Sequence, residues 1–600
     1  MATNQPKTLQ DGYLSFEGGV DSGNPASLLS AAEVSWAVNT TFRGGFARPR
    51  PGFIKRNLTF GSDFDRSNFE TQLFQGAGNY RNDDNVAFLT TSIGGRIFTI
   101  DVANNFTVAD ISIPGDINDV DAPEAFFQQA DNWLVVQNRI RAPVLYNGSV
   151  SRRSKVENEV PVGGPMAFGR GRLWVAIESS YVGGDLVGVE TDSAIKFTEN
   201  DFLAEGGAFH VETGPVTGMA FTANLDSSLG EGDLLVATAT DVFAFNAPID
   251  RTTWKNLQYP AQRYALKNFG AVNHHSIAIV NGDAFFRSVD GVRTIKFARR
   301  DFADEWCNTP LSLEVTRALE YDTDSLLGFS SAVSFDQRYL MTSQPVKTPN
   351  GVYHRALVAL DFKGISGLRK KVVAPAWEGI WTGLRILRII TATVANVVRC
   401  FVFSLNSDNH IELWELTKDA QFDRDDDDVR IRWAIETRSM AFQSPTDKKR
   451  IESGNFWMYE MKGIFQATVR FRADLSEWWT NWINVLDCAK YRDCEPAVGC
   501  QTPVTYAGQV RSRIGLPEPP DIPDVSSGNG FTRFGADFQI RFDFIGFGIL
   551  KRFQIFASEV PEDVYGNLDG AECVENGDGD CGGDCPGIAV CDLNDYLHEL

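Results

Sequence analysis

Between residues 74 and 416 the chain repeats one pattern, and that pattern limits the folds open to it. Short runs that alternate apolar and polar residues, rich in Val, Ile, Phe and Thr, give way to tight-turn residues and then to a second such run. These paired runs begin near Val86, Phe126, Met166, Val216, Ser276, Ala332 and Ile380, at intervals of 40 to 60 residues. A four-stranded propeller blade takes about 40–50 residues, so the spacing predicts an all-β chain with a β-propeller of six or seven blades over residues 66–422. Inside DLLVATATDVFAFNA and GDAFFRSVDGVRTIKF the chain is expected to reverse at Thr240-Asp241 and Asp290-Gly291. A series of β-sandwiches would alternate strands and turns in the same way and is the competing architecture.

The flanks read differently. Residues 1–65 are broken by Gly18, Gly19, Gly23, Pro25, Gly44, Gly45, Pro49, Pro51 and Gly52. Between the breaks, residues 26–39 place Leu28, Leu29, Ala32 and Trp36 at helical spacing. This reads as an N-terminal docking arm with one short helix. Leu28, Leu29, Trp36, Phe42 and Arg50 are its candidates for holding a neighbouring subunit or adaptor. After the repeats comes an acidic run, Asp423, Asp425, Asp426, Asp427 and Asp428, interrupted by Arg424. A solvated loop is one reading of it; a charged lining of a passage is the other. Residues 429–560 hold longer alternating strands such as FQIRFDFIGFGILKRFQIFASE and predict an additional antiparallel β-sandwich with long inserted loops. Residues 561–600 form a tail rich in Gly, Asp and Cys.

A formal charge of −22 argues against wrapping nucleic acid, which needs Lys and Arg to neutralise phosphates. The first residues have neither the basic start nor the apolar stretch of a secretory leader, so synthesis in the cytoplasm is expected. The most apolar window, 384–405, carries Arg385, Arg388 and Arg399; it reads as two buried strands and not as a membrane span. No phosphate-binding loop, nucleophile elbow or H-E-x-x-H pair is present, so neither an enzyme nor a cofactor is expected. His274 and His275 are adjacent; in a strand they would point to opposite faces and share no ligand, so they read as hairpin residues and not as a base or metal pair. Cys573, Cys581, Cys585 and Cys591 leave disulfides, free thiols, zinc and calcium open, the last through Asn576, Asp578 and Asp580. Trp478 and Trp482, four apart, would share a helix face, as a buried anchor or as a contact platform.

One segment carries more than composition. FEGGVDSGNPASLLSAAEVSWAVNTTFRGGFARPRPGF resembles the N-terminal signature of nozzle and tail-hub proteins of short-tailed bacteriophages (tail tubular protein B-like, packaged-DNA-stabilisation-like). The matching positions are Gly18, Gly19, Val20, Pro25, Leu28, Glu33, Asn39, Gly45, Arg50, Pro51 and Gly52. The resemblance implies a virion tail protein with a β-propeller. It implies a homo-hexameric ring, contacts to tail adaptor and to fibre or spike proteins, and transient passage of double-stranded DNA without specific binding. Asp423, Asp425, Asp426, Asp427 and Asp428 are then the candidates for the DNA channel. The rival from another class is a receptor-binding or glycan-degrading tail protein, which would need a pocket of paired acids and stacked tryptophans.

Overall fold

The computed structural model describes residues 8–62, 64–155, 157–187, 195–198, 208–222, 232–246, 254, 262–295, 310–363, 375–474, 476–488, 512–520, 523–524 and 530–560. The chain divides into two compact units, Met1–Glu559 and Val560–Leu600, and the architecture below is that of the first. With 54% of residues in strands and 6% in helices, the class is all-β.

Five small sheets, antiparallel except for one short parallel edge pairing in the first, follow one another as the blades of a β-propeller arrangement. Their first strands are Phe74–Arg81, Phe126–Ala130, Met166–Gly169, Gly218–Phe221 and Ala278–Val280. The expected reversals are present: Leu234–Ala237 pairs with Val242–Phe245, and Asp283–Ser288 pairs with Gly291–Thr294. Leu234–Ala237 and Val242–Phe245 are buried at every position, because each blade is covered on both faces. The contacts between blades account for this. Tyr80 and Ile97 of the first blade meet Leu134 and Val136 of the second. Val135 and Leu145 then meet Leu173 and Val175 of the third. Trp174 and Tyr181 meet Val236 and Phe245 of the fourth, and Leu235 and Ala244 meet Ala284 and Phe286 of the fifth.

Five separate blades stand where the spacing predicts six or seven. The strands expected to supply the others, from Ala332–Phe335 to Ile411–Thr417, are hydrogen-bonded into one 19-stranded sheet. That sheet closes the ring. Leu387, Ile390, Phe401 and Phe403 pack on Phe74, Ala77 and Leu89 of the first blade, while Tyr339 and Met341 pack with Val280 and Phe285 of the fifth. Asn79 and Arg81 of the first blade also donate to the carbonyls of Thr391 and Thr393, each at 2.8 Å.

The strands expected in a separate sandwich belong to this same sheet. Lys449–Ala473 and Phe538–Glu559 run antiparallel along most of their length, with bulges that let strands of 25 and 22 residues twist. The N-terminal segment is woven in as well. Thr8–Tyr13 pairs with Phe538–Glu559, Glu33–Val38 with Arg432–Thr437, and Gly52–Arg56 with Ile411–Thr417. Thr59–Phe60 lies parallel to Thr107–Asp110 in the first blade. Hydrogen bonding therefore runs across the boundaries expected near 65, 422 and 429.

Two local expectations fail for one physical reason. Residues 26–39 form a single 3-10 turn, Ala26–Leu28, followed by the strand Glu33–Val38. Val34, Trp36 and Ala37 are buried there, and pairing on both sides outweighs a helical spacing that four residues satisfy by chance. Likewise Thr480–Cys488 is a strand, so Trp478 and Trp482 share no helix face. Trp482 is buried against Phe471 and donates to the Pro517 carbonyl at 2.8 Å, whereas Trp478 is 60% exposed. Residues 384–405 form two antiparallel strands, Arg385–Val394 and Val397–Leu405. Among the described residues no helix is long and apolar enough to cross a membrane.

Candidate functional site

The N-terminal signature and the acidic run meet at Arg50. Its guanidinium is 1% exposed, and all of its N–H groups are directed at acceptors. Nε donates to Asn39 Oδ1 at 3.0 Å, and Nη1 and Nη2 each reach one carboxylate oxygen of Asp423 at 2.8 Å. The carbonyls of Pro51 and Thr382 accept at 2.9 and 2.7 Å, and the Phe53 ring lies 4.4 Å below the guanidinium carbon. Asn39, at φ 51°, ties the same node to the large sheet through Thr382 Oγ1 and the Arg432 carbonyl. Gly52 cannot carry a side chain here, because a Cβ would stand 1.9 Å from the Phe422 carbonyl oxygen.

This geometry locates each residue singled out in the sequence. Leu29, Trp36, Phe42 and Arg50 are buried inside their own chain, so these four side chains are not free to hold a second one; Leu28 alone is well exposed, at 74%. The acidic residues also separate. Asp423 faces inward to Arg50, Asp425 pairs with Lys55 at 2.8 Å, and Asp428 pairs with Arg424. Asp426 and Asp427 sit exposed at the turn between Asp423–Arg424 and Asp428–Val429. The run is thus a short hairpin whose opening aspartate is structural.

A second cluster lies at the axis of the propeller. Glu124 precedes the first strand of the second blade, and His274 and His275 precede that of the fifth. These blades are not neighbours in the ring, so their residues meet only in the middle. His274–Ser276 is a 3-10 turn capped by Asn273, whose side chain accepts from Ser276 N. The turn sends both imidazoles toward Phe126, with centroids at 6.0 and 5.6 Å, where a strand would have set them on opposite faces. His275 Nε2 lies 3.2 Å from Glu124 Oε1, and Arg388 Nη2, from the Arg385–Val394 strand, lies 3.9 Å from that oxygen. Arg139 covers Phe126 from the second blade at 5.1 Å.

Burial governs the protonation of these groups. It raises the Glu124 carboxyl against the opposing pull of Arg388, Arg139 and His274. It pushes His274 down to about 3, with His275 adding to the effect, and holds His275 well below its usual range. His354 is fully buried, with Nδ1 3.3 Å from the Ile386 carbonyl, and burial lowers it to about 4. A pH dependence follows from its sign. The unfolded chain takes up a proton near pH 6.5 and the folded chain does not, so stability is lost as pH falls from about 6.5 towards 4, by up to about 1.4 kcal/mol per unit for this one histidine. Urea titrations at pH 7 and pH 5 are expected to show this loss, and His354→Gln to reduce it; equal slopes in variant and wild type would contradict the assignment.

The sequence reading missed Glu124 altogether and noted Arg388 only as a charge within an apolar window. A signal was present in ILRIITATV, where one arginine interrupts a strand otherwise suited to full burial. Among the described residues no group of three or more His, Cys, Asp or Glu side chains is placed to hold a metal ion. Cys400 is buried and unpaired, whereas Cys573, Cys581, Cys585 and Cys591, with Asn576, Asp578 and Asp580, lie outside the described residues. Compared with protein-family models and with curated proteins, the chain matches none.

Proposed function

We propose that the chain is a structural subunit of the tail hub or nozzle of a short-tailed bacteriophage, acting in the conduit and closure of the genome and not as an enzyme. The observation that carries this reading is the role of the signature positions. Gly19 adopts φ +73° where a Cβ would meet the Trp377 carbonyl oxygen at 2.6 Å, and Asn39, Arg50 and Gly52 build the node described above. A chance match over forty residues has no reason to fall on the positions that fix the segment in its fold. The β-propeller and the charge of −22 accord with a conduit that passes DNA without holding it.

The propeller axis itself is occupied by Phe126, His274, His275 and Arg388, so a duplex would pass between subunits of a ring and not through one subunit. In such a ring Asp426 and Asp427 are the aspartates of the run best placed to face a passage, since Asp423, Asp425 and Asp428 are held in ion pairs. Exposed charges act over about 8 Å at physiological salt, so only a narrow passage would feel them. Mixed with tail adaptor protein, the full chain is expected to form a closed cyclic oligomer, sixfold by the resemblance, in light scattering and in averaged particle images. A chain that stays monomeric with adaptor present would overturn the reading.

A further inference from the structure

We propose that the cationic, aromatic outer face of the two longest strands docks on the acidic surface around Glu320 of a second copy of this chain, so that identical subunits join head to tail. The inference rests on the ring reading above and names the two surfaces that would close the ring. The face is built where Lys449–Ala473 pairs with Phe538–Glu559 on one side and with Ser512–Leu516 on the other. Phe456 and Met458 are wholly buried in the core, so the alternate residues Trp457 and Tyr459 point outward. Trp457 stands directly opposite both Arg513 and Arg552, whose guanidinium carbons lie 5.6 and 4.5 Å from its ring. Trp457 pairs with Arg552 and Met458 with Leu550, so Lys551 is the extra residue of a bulge that turns it to the same face. Its Nζ donates to Tyr459 Oη at 2.9 Å and lies 5.9 Å from the Phe46 ring. Further along, Lys462 pairs with Phe547 and covers its ring at 5.1 Å.

Charge selects the occupant. Arg513 and Arg552 are exposed, and Trp457, Tyr459, Lys462, Phe547 and Lys551 are half-exposed. None of these four cations forms an ion pair with another described residue, whereas Arg50, Arg338 and Arg541 each hold a carboxylate. The one carboxylate between Asn455 and Lys462 is Glu460, in a bulge at φ 48°. In a chain of charge −22 most contacts between copies are repulsive, so a cationic face is where an acidic copy is best received. Trp, Tyr and Arg are also the side chains that dominate interface energies. The acidic counterpart is the run of short helical turns Leu311–Val315, Thr316–Leu319 and Asp324–Phe329, which exposes Leu313, Glu314, Glu320, Tyr321 and Asp324. Ser22 N and Oγ donate to the Glu314 carbonyl at 2.7 and 3.1 Å, which sets the exposed Leu28 loop beside it, and Asp21 and Glu33 lie within electrostatic reach of Glu314. Arg317 and Arg541 share Glu436, at 2.9 and 3.0 Å, so this surface adjoins Arg541. Arg552 stands roughly 30 Å further along the same strand. Two cationic faces brought together would repel, so the contact pairs different surfaces of successive copies, the arrangement that builds a ring.

The test follows assembly of the full chain by light scattering over a range of concentrations, alone and with tail adaptor protein. One variant carries Arg513→Glu with Arg552→Glu, and a second carries Glu320→Lys with Asp324→Lys; all four side chains are exposed. Each variant is expected to be a folded monomer with the wild-type urea midpoint, and to need a concentration at least about a hundredfold higher to assemble. Mixed one to one, the two are expected to assemble again as an alternating oligomer. The reversed face of one then meets the reversed acidic surface of the other, and the two unchanged surfaces still fit. A merely structural role for these residues predicts no such rescue, and a mixture that stays monomeric would overturn the proposal. Variants that assemble as wild type does would overturn it while leaving the ring reading in place; wild type that stays monomeric with adaptor present would overturn both. Binding of a labelled single- or double-stranded oligonucleotide that the arginine reversal abolishes, with assembly unchanged, would give the face to nucleic acid and overturn the proposal as well.

Discussion

Deletion of residues 1–52 is expected to unfold the large sheet and not to release a self-sufficient propeller from a detachable arm. The deleted stretch contributes Tyr13, Phe16, Val20, Val34, Trp36 and Phe42 to the largest core cluster, each at most 8% exposed. Fully burying a large side chain is worth about 1.5–3 kcal/mol, so six of them amount to roughly 9–18 kcal/mol, as much as the whole net stability of about 5–15 kcal/mol of an ordinary protein. The deletion also uncovers the backbone of Phe538–Glu559 where Thr8–Tyr13 had paired, and that of Arg432–Thr437 where Glu33–Val38 had paired. Unpaired edges of this length invite aggregation. Expression of the truncated chain should yield insoluble protein, or soluble protein in which the segment 432–559 is rapidly cleaved by protease. A truncated chain that is soluble, with that segment as resistant as in wild type, would return the N-terminus to the status of an arm.

The second large effect is expected at Arg50. Substitution by Met removes the guanidinium, so Asn39 Oδ1 keeps only the Thr382 N–H, Asp423 keeps only the Phe53 N–H, and the carbonyls of Pro51 and Thr382 lose its donation. Breaking a buried, fully bonded pair on one side costs about 3–5 kcal/mol, because the partner charge stays behind. Asp423→Asn should cost about as much, because it leaves the more deeply buried Arg50 guanidinium without its counter-charge, although the amide oxygen can still accept from Arg50 or from the Phe53 N–H that Asp423 Oδ1 receives at 2.8 Å. The pair should be strongly non-additive in a double-mutant cycle measured by urea denaturation. Additive costs would mean that the two residues act separately, and the link between the signature and the acidic run would be lost with them.

The comparison of sequence with structure turns on how far each signal reaches along the chain. Period-two alternation and turn residues are local, and they placed the hairpins at Thr240-Asp241 and Asp290-Gly291 as well as the two strands within 384–405. They also made the chain all-β with a propeller, because side chains that alternate, or are apolar on both faces, can be buried only between stacked sheets. Partner choice is not local. Nothing in the alternation of Ala332–Phe335 or Arg385–Val394 distinguishes a strand of a separate blade from one drawn into a larger sheet, and the spacing therefore predicted more blades than the five that stand apart.

The same distinction holds for the sites. The signature marked Gly19, Asn39, Arg50 and Gly52 as special, but the carboxylate that answers Arg50 lies 373 residues away. The adjacent pair His274 and His275 was visible as a pair, while its meaning depended on a 3-10 turn in place of a strand and on Glu124 and Arg388 arriving from other parts of the ring. The sequence by itself determined which segments become strands and which residues are unusual in them, because those properties follow from neighbours along the chain. Only the tertiary structure decided which strands share a sheet, which aspartate is buried and which charges converge on the axis, because burial and pairing energies depend on neighbours in space.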